Sequence, residues 1–243
     1  VVGAILASRG NPPASHQSAA ALLRIPIIGQ WPQLVHVLGS LSSGTRTENG
    51  FRRHASSFDI ELVEVEGVRA VGATDTVIDL AASSSFASAV TAADHCLRNG
   101  LTTRERLWMS AARYPRISRR VARVVEFATP LSGSPGESLS RVNIHELGFP
   151  APELQVVFRD SRGHVADVDF WWREFDRVGE FDGLMKYTRD RYRKGMSIDE
   201  VVVAEKIRED RIRALGPGVT RWLWADALEP RRLYRVLSDA GLR

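Results

Sequence analysis

Four carboxylates on two adjoining β-like runs are the residues of this chain best placed to do chemistry. In residues 164–172 a period of two puts Asp167, Asp169 and Trp171 on one face of a strand and Ala166, Val168, Phe170 and Trp172 on the other. In residues 177–183 the same alternation groups Val178, Glu180 and Asp182 opposite Phe181. Pairing the two strands would bring Asp169 next to Glu180 and Asp182, and carboxylates gathered in that way repel one another unless a cation compensates. Oxygen-only ligands select Mg²⁺ or Mn²⁺ over Zn²⁺, and such an ion can orient a phosphodiester and lower the pKa of an attacking water. The expectation is a metal site at Asp169, Glu180 and Asp182. The alternative is a solvated acidic face paired with arginines.

The elements around these strands read as α/β (α+β). Pro130, Gly133, Ser134, Pro135 and Gly136 form the densest run of breakers in mid-chain, which predicts two domains, 1–129 and 130–243. After the break the periodicities give a helix (135–147), three strands (154–160, 164–172, 177–183), a helix (197–215), a strand (218–224) and a last helix (230–240), an αβββαβ core with a tail. The first domain reads as smaller and mixed. It has a capped helix from Ser15, strands near 34–38 and 51–54, an alternating segment at 60–70 with a turn at Glu66-Gly67, and helices from Asp75 and Phe86, the second ending at Asn99-Gly100.

Other charged residues bear on the same site. Ser134-Pro135-Gly136-Glu137 fits a capping box with proline at the first helical position, so Glu137 either holds that helix end or joins the acidic cluster. In the helix at 197–215, Val201, Glu205, Arg208, Ile212 and Leu215 share a stripe, and a half-buried Arg208 needs an acidic partner. Arg189, Arg191, Arg193 and Lys194 follow the acidic strand within a short loop and are expected to hold a nucleic-acid backbone at the mouth of the site. A second basic run comprises Arg113, Arg116, Arg119, Arg120 and Arg123. Trp222 and Trp224 read as core residues on one face of the final strand. His16, His36 and His54 lie on different elements, and each reads separately as a core or surface histidine.

Composition narrows the class. The chain has 243 residues, 44% hydrophobic and 26% charged, with a formal net charge of +4, as expected for folded protein rather than disorder. No run of about 18 apolar residues could span a membrane, and the expected location is cytoplasmic. Cys96 is the single cysteine and reads as structural. No glycine-rich phosphate loop, Cys-x-x-Cys pair or Ser/His/Asp order is present. The chain begins at Val1, which suggests that an upstream portion is missing or processed.

The pattern Glu137-Ser138-Leu139-Ser140-Arg141, Val168-Asp169-Phe170, Glu180-Phe181-Asp182-Gly183, then Lys206, Arg208 and Arg221-Trp222 resembles the PD-(D/E)XK nuclease superfamily, in particular its very-short-patch-repair-like branch. The resemblance covers about the last 110 residues. It implies a restriction-endonuclease-like fold, with Asp169 and Glu180 as metal-binding acids and Glu137 as the helix-borne acid. Two departures stand out: Asp182 occupies the usual lysine position, leaving Lys186 or Lys206 to supply that charge, and Val168 replaces the proline before the first acid. Upstream, Ser15-His16-Gln17-Ser18-Ala19-Ala20, Trp31-Pro32, Val35-His36-Val37, Arg53-His54 and Thr76 to Ala81 resemble actinobacterial AbiEi-like proteins of type IV toxin–antitoxin systems, without the upstream winged helix–turn–helix. Two functions are thereby implied. One is an Mg²⁺- or Mn²⁺-dependent DNA endonuclease, with Asp169, Glu180, Asp182, Glu137, Lys186 and Lys206 as candidate catalytic residues and Arg208 among those that bind DNA. The other is a non-catalytic regulatory module that binds nucleic acid or a toxin partner.

Overall fold

A computed structural model of the chain describes residues 1–40, 44–55, 60–113, 119–183 and 198–243. Lys186, Arg189, Arg191, Arg193 and Lys194 lie outside them, as does Arg116. The chain divides into two compact units, Val1–Pro130 and Leu131–Arg243. The architecture is mixed α+β.

Unit 1 carries α1 (Val2–Leu6), α2 (His16–Leu22), β1 (Val35–Gly39), β2 (Arg46–Glu48), β3 (Phe51–Ala55), β4 (Leu62–Val65), β5 (Val68–Val71), α3 (Ala73–Ser83), α4 (Phe86–Arg98), α5 (Arg104–Ala112) and α6 (Arg119–Phe127). The first sheet runs β1-β3-β2, with β1 and β3 parallel and Leu38 opposite His54. The β4–β5 hairpin turns at Glu66 and Gly67, both at positive φ (52° and 77°), as a tight two-residue turn requires. Ile5, Ala14, Ala19, Val37, Val68, Ala70 and Val71 close one core under these strands.

Three helices among the described residues of this unit, α1, α5 and α6, lie beyond the sequence expectation, and side-chain bonds explain how the last two are held. The Thr103 hydroxyl caps α5 by accepting from the Arg106 N–H. Arg104 donates to the Val125, Glu126 and Ala128 carbonyls around the end of α6. The second basic run is largely committed inside the unit. Arg113 pairs with buried Asp75, Arg120 donates to the Ser84 carbonyl, and the Arg123 guanidinium lies 3.8 Å from the centre of the Phe86 ring. Cys96 is buried in α4, and burial pushes its thiol pKa up to about 12, consistent with a structural thiol.

Unit 2 carries α7 (Pro135–Glu146), β6 (Glu153–Asp160), β7 (Gly163–Trp172), β8 (Arg177–Asp182), α8 (Ile198–Ala214), β9 (Gly218–Leu223), α9 (Trp224–Ala227) and α10 (Pro230–Asp239). Its sheet runs β6-β7-β8-β9: the first three strands are antiparallel neighbours, and β9 returns parallel to β8 after α8. Such a return needs a crossover of a dozen or more residues, which α8 helps to supply. Buried Ile212 of α8 packs with Val165, Val168, Trp171 and Val178. Against α7, Gly136 leaves room for the Phe181 ring, and Ser140 Oγ accepts from Trp222 Nε1 at 2.7 Å. Trp222 is a core residue, as expected. Trp224 is not on the final strand. It opens α9, where the Asp226 carboxylate accepts the Leu223 N–H and turns the chain out of the sheet.

Candidate functional site

The candidate acids are built from α7, β7 and β8. Ser134 caps α7 by accepting the Glu137 N–H at 3.2 Å, while Glu137 Oε2 accepts the Gly133 N–H at 2.6 Å. Of the expected capping box the Ser134 half is present, while Glu137 fixes the helix entry one residue earlier, at Gly133, and its carboxylate also reaches across to the sheet. Gln155 of β6, at φ 51°, donates from one amide nitrogen to Glu137 Oε2 (3.0 Å) and to Asp169 Oδ1 (3.3 Å). Sequence reading missed Gln155, because only its left-handed backbone brings it to both carboxylates. The other oxygen of Asp169 accepts the backbone N–H of Phe181 at 2.9 Å. The β7–β8 ladder pairs Phe170 with Gly179, so this side-chain bond carries the strand contact onward from that point.

Glu180 turns to a different set of groups. It is 6% exposed, and its Oε2 accepts from Arg208 Nη2 of α8 at 2.8 Å and from Arg221 Nε of β9 at 3.1 Å. Arg221 is in register with Glu180 on the parallel neighbour strand. Glu205 joins both arginines, at 2.9 Å from Arg208 and 3.5 Å from Arg221, and Glu209 lies 3.2 Å from Arg221 and 2.8 Å from Arg213. Burial lowers the Arg208 pKa, but the charges of Glu180 and Glu205 outweigh it, so the guanidinium is held above its ordinary value. Arg208 thus finds the acidic partner that its place on the α8 stripe demanded.

The expected convergence of Asp169, Glu180 and Asp182 on one ion is not what the described residues show. Asp169 is tied to Gln155 and Phe181, Glu180 to the arginines, and no group of three or more His, Cys, Asp or Glu is arranged to hold a metal among the described residues. The physical reason is local: a guanidinium on either side neutralises Glu180 without an ion. Two acceptors nevertheless stay unpaired. Glu180 Oε1 and Asp182 Oδ1 are buried without a hydrogen-bond partner, and strand alternation places the two residues on one face of β8. Arg208 Nε is a buried donor without a hydrogen-bond partner. Buried unpaired groups of this kind each cost about 1–3 kcal/mol.

The remaining candidates separate. Lys206 is exposed on α8 and outside the Glu180 network, whereas Lys186 and the basic residues 189–194 lie outside the described residues. The three histidines, read from sequence as unrelated, come together in unit 1. The His16 and His54 rings stack at 3.6 Å between centres, and His54 Nε2 lies 3.1 Å from His36 Nδ1. The strands β1 and β3 were legible, but their parallel register was not, and it is the register that sets His36 and His54 on one face. Among the described residues no helix is long and apolar enough to cross a membrane. Comparison with family models, curated proteins and solved structures returns no match to the chain.

Proposed function

We propose that residues 131–243 form a nuclease-type domain with a restriction-endonuclease-like core, which hydrolyses nucleic-acid phosphodiesters with Mg²⁺ or Mn²⁺ held by Glu180 and Asp182. The observation that carries this reading is the pair of buried, unpartnered carboxylate oxygens, Glu180 Oε1 and Asp182 Oδ1, two residues apart on β8. Buried acceptors without donors are what a hard cation satisfies, and an all-oxygen set suits Mg²⁺ or Mn²⁺. When bound, such an ion supplies charge at the phosphodiester and acidifies a water.

The chain's own residues do the rest. Gln155 and the Phe181 N–H fix the orientation of Asp169, and Glu137 is held on the same amide. Arg208 and Arg221 pin Glu180 through Oε2 alone, which leaves Oε1 available. The unpartnered Arg208 Nε is a donor for a phosphate oxygen, in the role that the superfamily gives to the lysine replaced here by Asp182. The basic residues 189–194 would hold the DNA backbone. A cytoplasmic location belongs to the same proposal.

A second reading rests on a specific observation as well. Two guanidiniums already neutralise Glu180, which favours a non-catalytic regulatory module, of the AbiEi-like antitoxin type, that binds nucleic acid or a toxin protein. Incubation of the protein with plasmid, single-stranded DNA and RNA, with Mn²⁺, Mg²⁺ or EDTA, separates the two. Weak metal-dependent cleavage is expected, lost in Glu180→Ala and in EDTA. Salt-dependent binding without cleavage would select the second reading. Neither binding nor cleavage would overturn the nuclease reading and leave binding of a toxin protein as the remaining form of the second.

A further inference from the structure

Three histidine rings from three elements meet in unit 1. His16 opens α2, His36 lies in β1 and His54 in β3. The ring centres of His16 and His54 are 3.6 Å apart with planes at 19°, those of His36 and His54 are 5.0 Å apart, and those of His16 and His36 are 5.9 Å apart. His36 is 7% exposed, and the His16 side chain is 12% exposed.

Two common uses of such a cluster do not fit. A metal ion lies in the plane of each imidazole that binds it, and two rings stacked nearly parallel share no such point. A Ser-His-Asp relay needs its partners on opposite ring nitrogens. Here Ser15 Oγ (3.2 Å) and Asp79 Oδ2 (3.3 Å) both approach Nδ1 of His16.

What the cluster does hold is the junction between α2 and the first sheet. The His36 N–H donates to Ser18 Oγ of α2 at 2.8 Å, and its carbonyl accepts the Ser15 N–H at 3.0 Å. His16 itself sits at φ 49°, a conformation that costs a non-glycine residue energy and persists only where surrounding contacts impose it. The charged and titratable groups near the rings are Asp79 from α3, Arg52 from β3 and the histidines themselves; Arg69 of β5 donates to the Asn11 carbonyl. Burial, the neighbouring imidazoles and Arg52 lower the His16 pKa to about 3, and burial, His36 and Arg52 lower that of His54 to about 4. Burial and Arg52 lower that of His36. One carboxylate, Asp79, does not outweigh these effects at His16.

We propose that the His16–His36–His54 stack is an acid-operated latch: a proton taken up by one ring places a cation in a buried site beside Arg52, a second proton sets like charge against it, and the stack breaks and frees the start of α2 from β1 and β3. The sign follows from linkage. A base held neutral by the folded state costs nothing above its unfolded pKa of about 6.5. As pH falls below that value the unfolded or released state gains protons first, so the closed state loses about tenfold in its equilibrium constant per pH unit for each such histidine. The loss continues down to the depressed folded values.

The test uses the full chain. Histidine ring-proton NMR from pH 8 to 4 should show these three rings failing to titrate near 6.5 in the closed state. Hydrogen exchange, corrected for its intrinsic pH dependence, should rise in α2, β1 and β3 between pH 6.5 and 5 by at least tenfold more than in β9. His54→Gln, which removes the titratable ring at the centre of the stack, should reduce that excess by about tenfold per pH unit. Ordinary titration of all three rings near 6.5, or an unchanged local response in His54→Gln, would overturn the latch. If His54→Gln does not fold, the wild-type NMR titration decides alone.

Discussion

Replacing Gly179 with alanine is expected to destabilise unit 2 by about 3 kcal/mol, at the upper end of the range for overpacking a core. A Cβ at this position would lie 2.7 Å from Cη2 of Trp222 and 2.8 Å from Cζ3 of Trp172. Neither indole is free to retreat: Trp222 Nε1 donates to Ser140 Oγ and Trp172 Nε1 to the Pro150 carbonyl, each at 2.7 Å. The Phe170 ring, 5.2 Å from Trp222, closes the remaining space. Alanine also restricts the unfolded chain, which offsets roughly 0.4–1 kcal/mol of the cost. Urea unfolding followed by tryptophan fluorescence measures the difference. A midpoint equal to that of the wild type would mean that the two indoles do not close on β8 as described.

The second large effect concerns Glu180. Removing its carboxylate leaves Arg208 and Arg221 half-buried, with Glu205 and Glu209 as their remaining acids. Breaking a buried ion pair from one side costs about 3–5 kcal/mol, and the two arginine side chains here are 26% and 29% exposed, which reduces the expected cost of Glu180→Ala to about 2 kcal/mol. Part of that cost is the stranded positive charge, so Glu180→Ala combined with Arg208→Ala should cost less than the two single changes summed. A double-mutant cycle reads this coupling directly. Strict additivity would mean that the Glu180–Arg208 contact contributes nothing to stability.

The order of elements in unit 2 was legible because each announces itself locally. Alternation over 164–172 and 177–183 gave β7 and β8, and the Ser134-Pro135 entry gave α7, where Ser134 does cap the helix. The destinations of the acidic side chains were not legible. Whether Glu180 meets Asp169 or Arg208 depends on the rotation of α8 and on the parallel register of β9, which sets Arg221 beside it, and no local period encodes either. Gln155 escaped notice for a related reason: a strand glutamine carries no signal until its backbone adopts φ 51°. In unit 1 the His16, His36 and His54 cluster depends on pairing across sequence separations of 18 and 20 residues, so reading each histidine singly dispersed them.

On the function proposed above, the unpaired Glu180 Oε1 and Asp182 Oδ1 are the oxygens that a cation would satisfy. Isothermal titration of the full chain with Mn²⁺ tests it most directly, with the wild type beside Asp182→Asn and Arg208→Ala. The account predicts saturable binding of one ion by the wild type, weakened at least tenfold in Asp182→Asn and retained in Arg208→Ala. Absence of Mn²⁺ binding in a folded wild type, or affinity unchanged by Asp182→Asn, would contradict it.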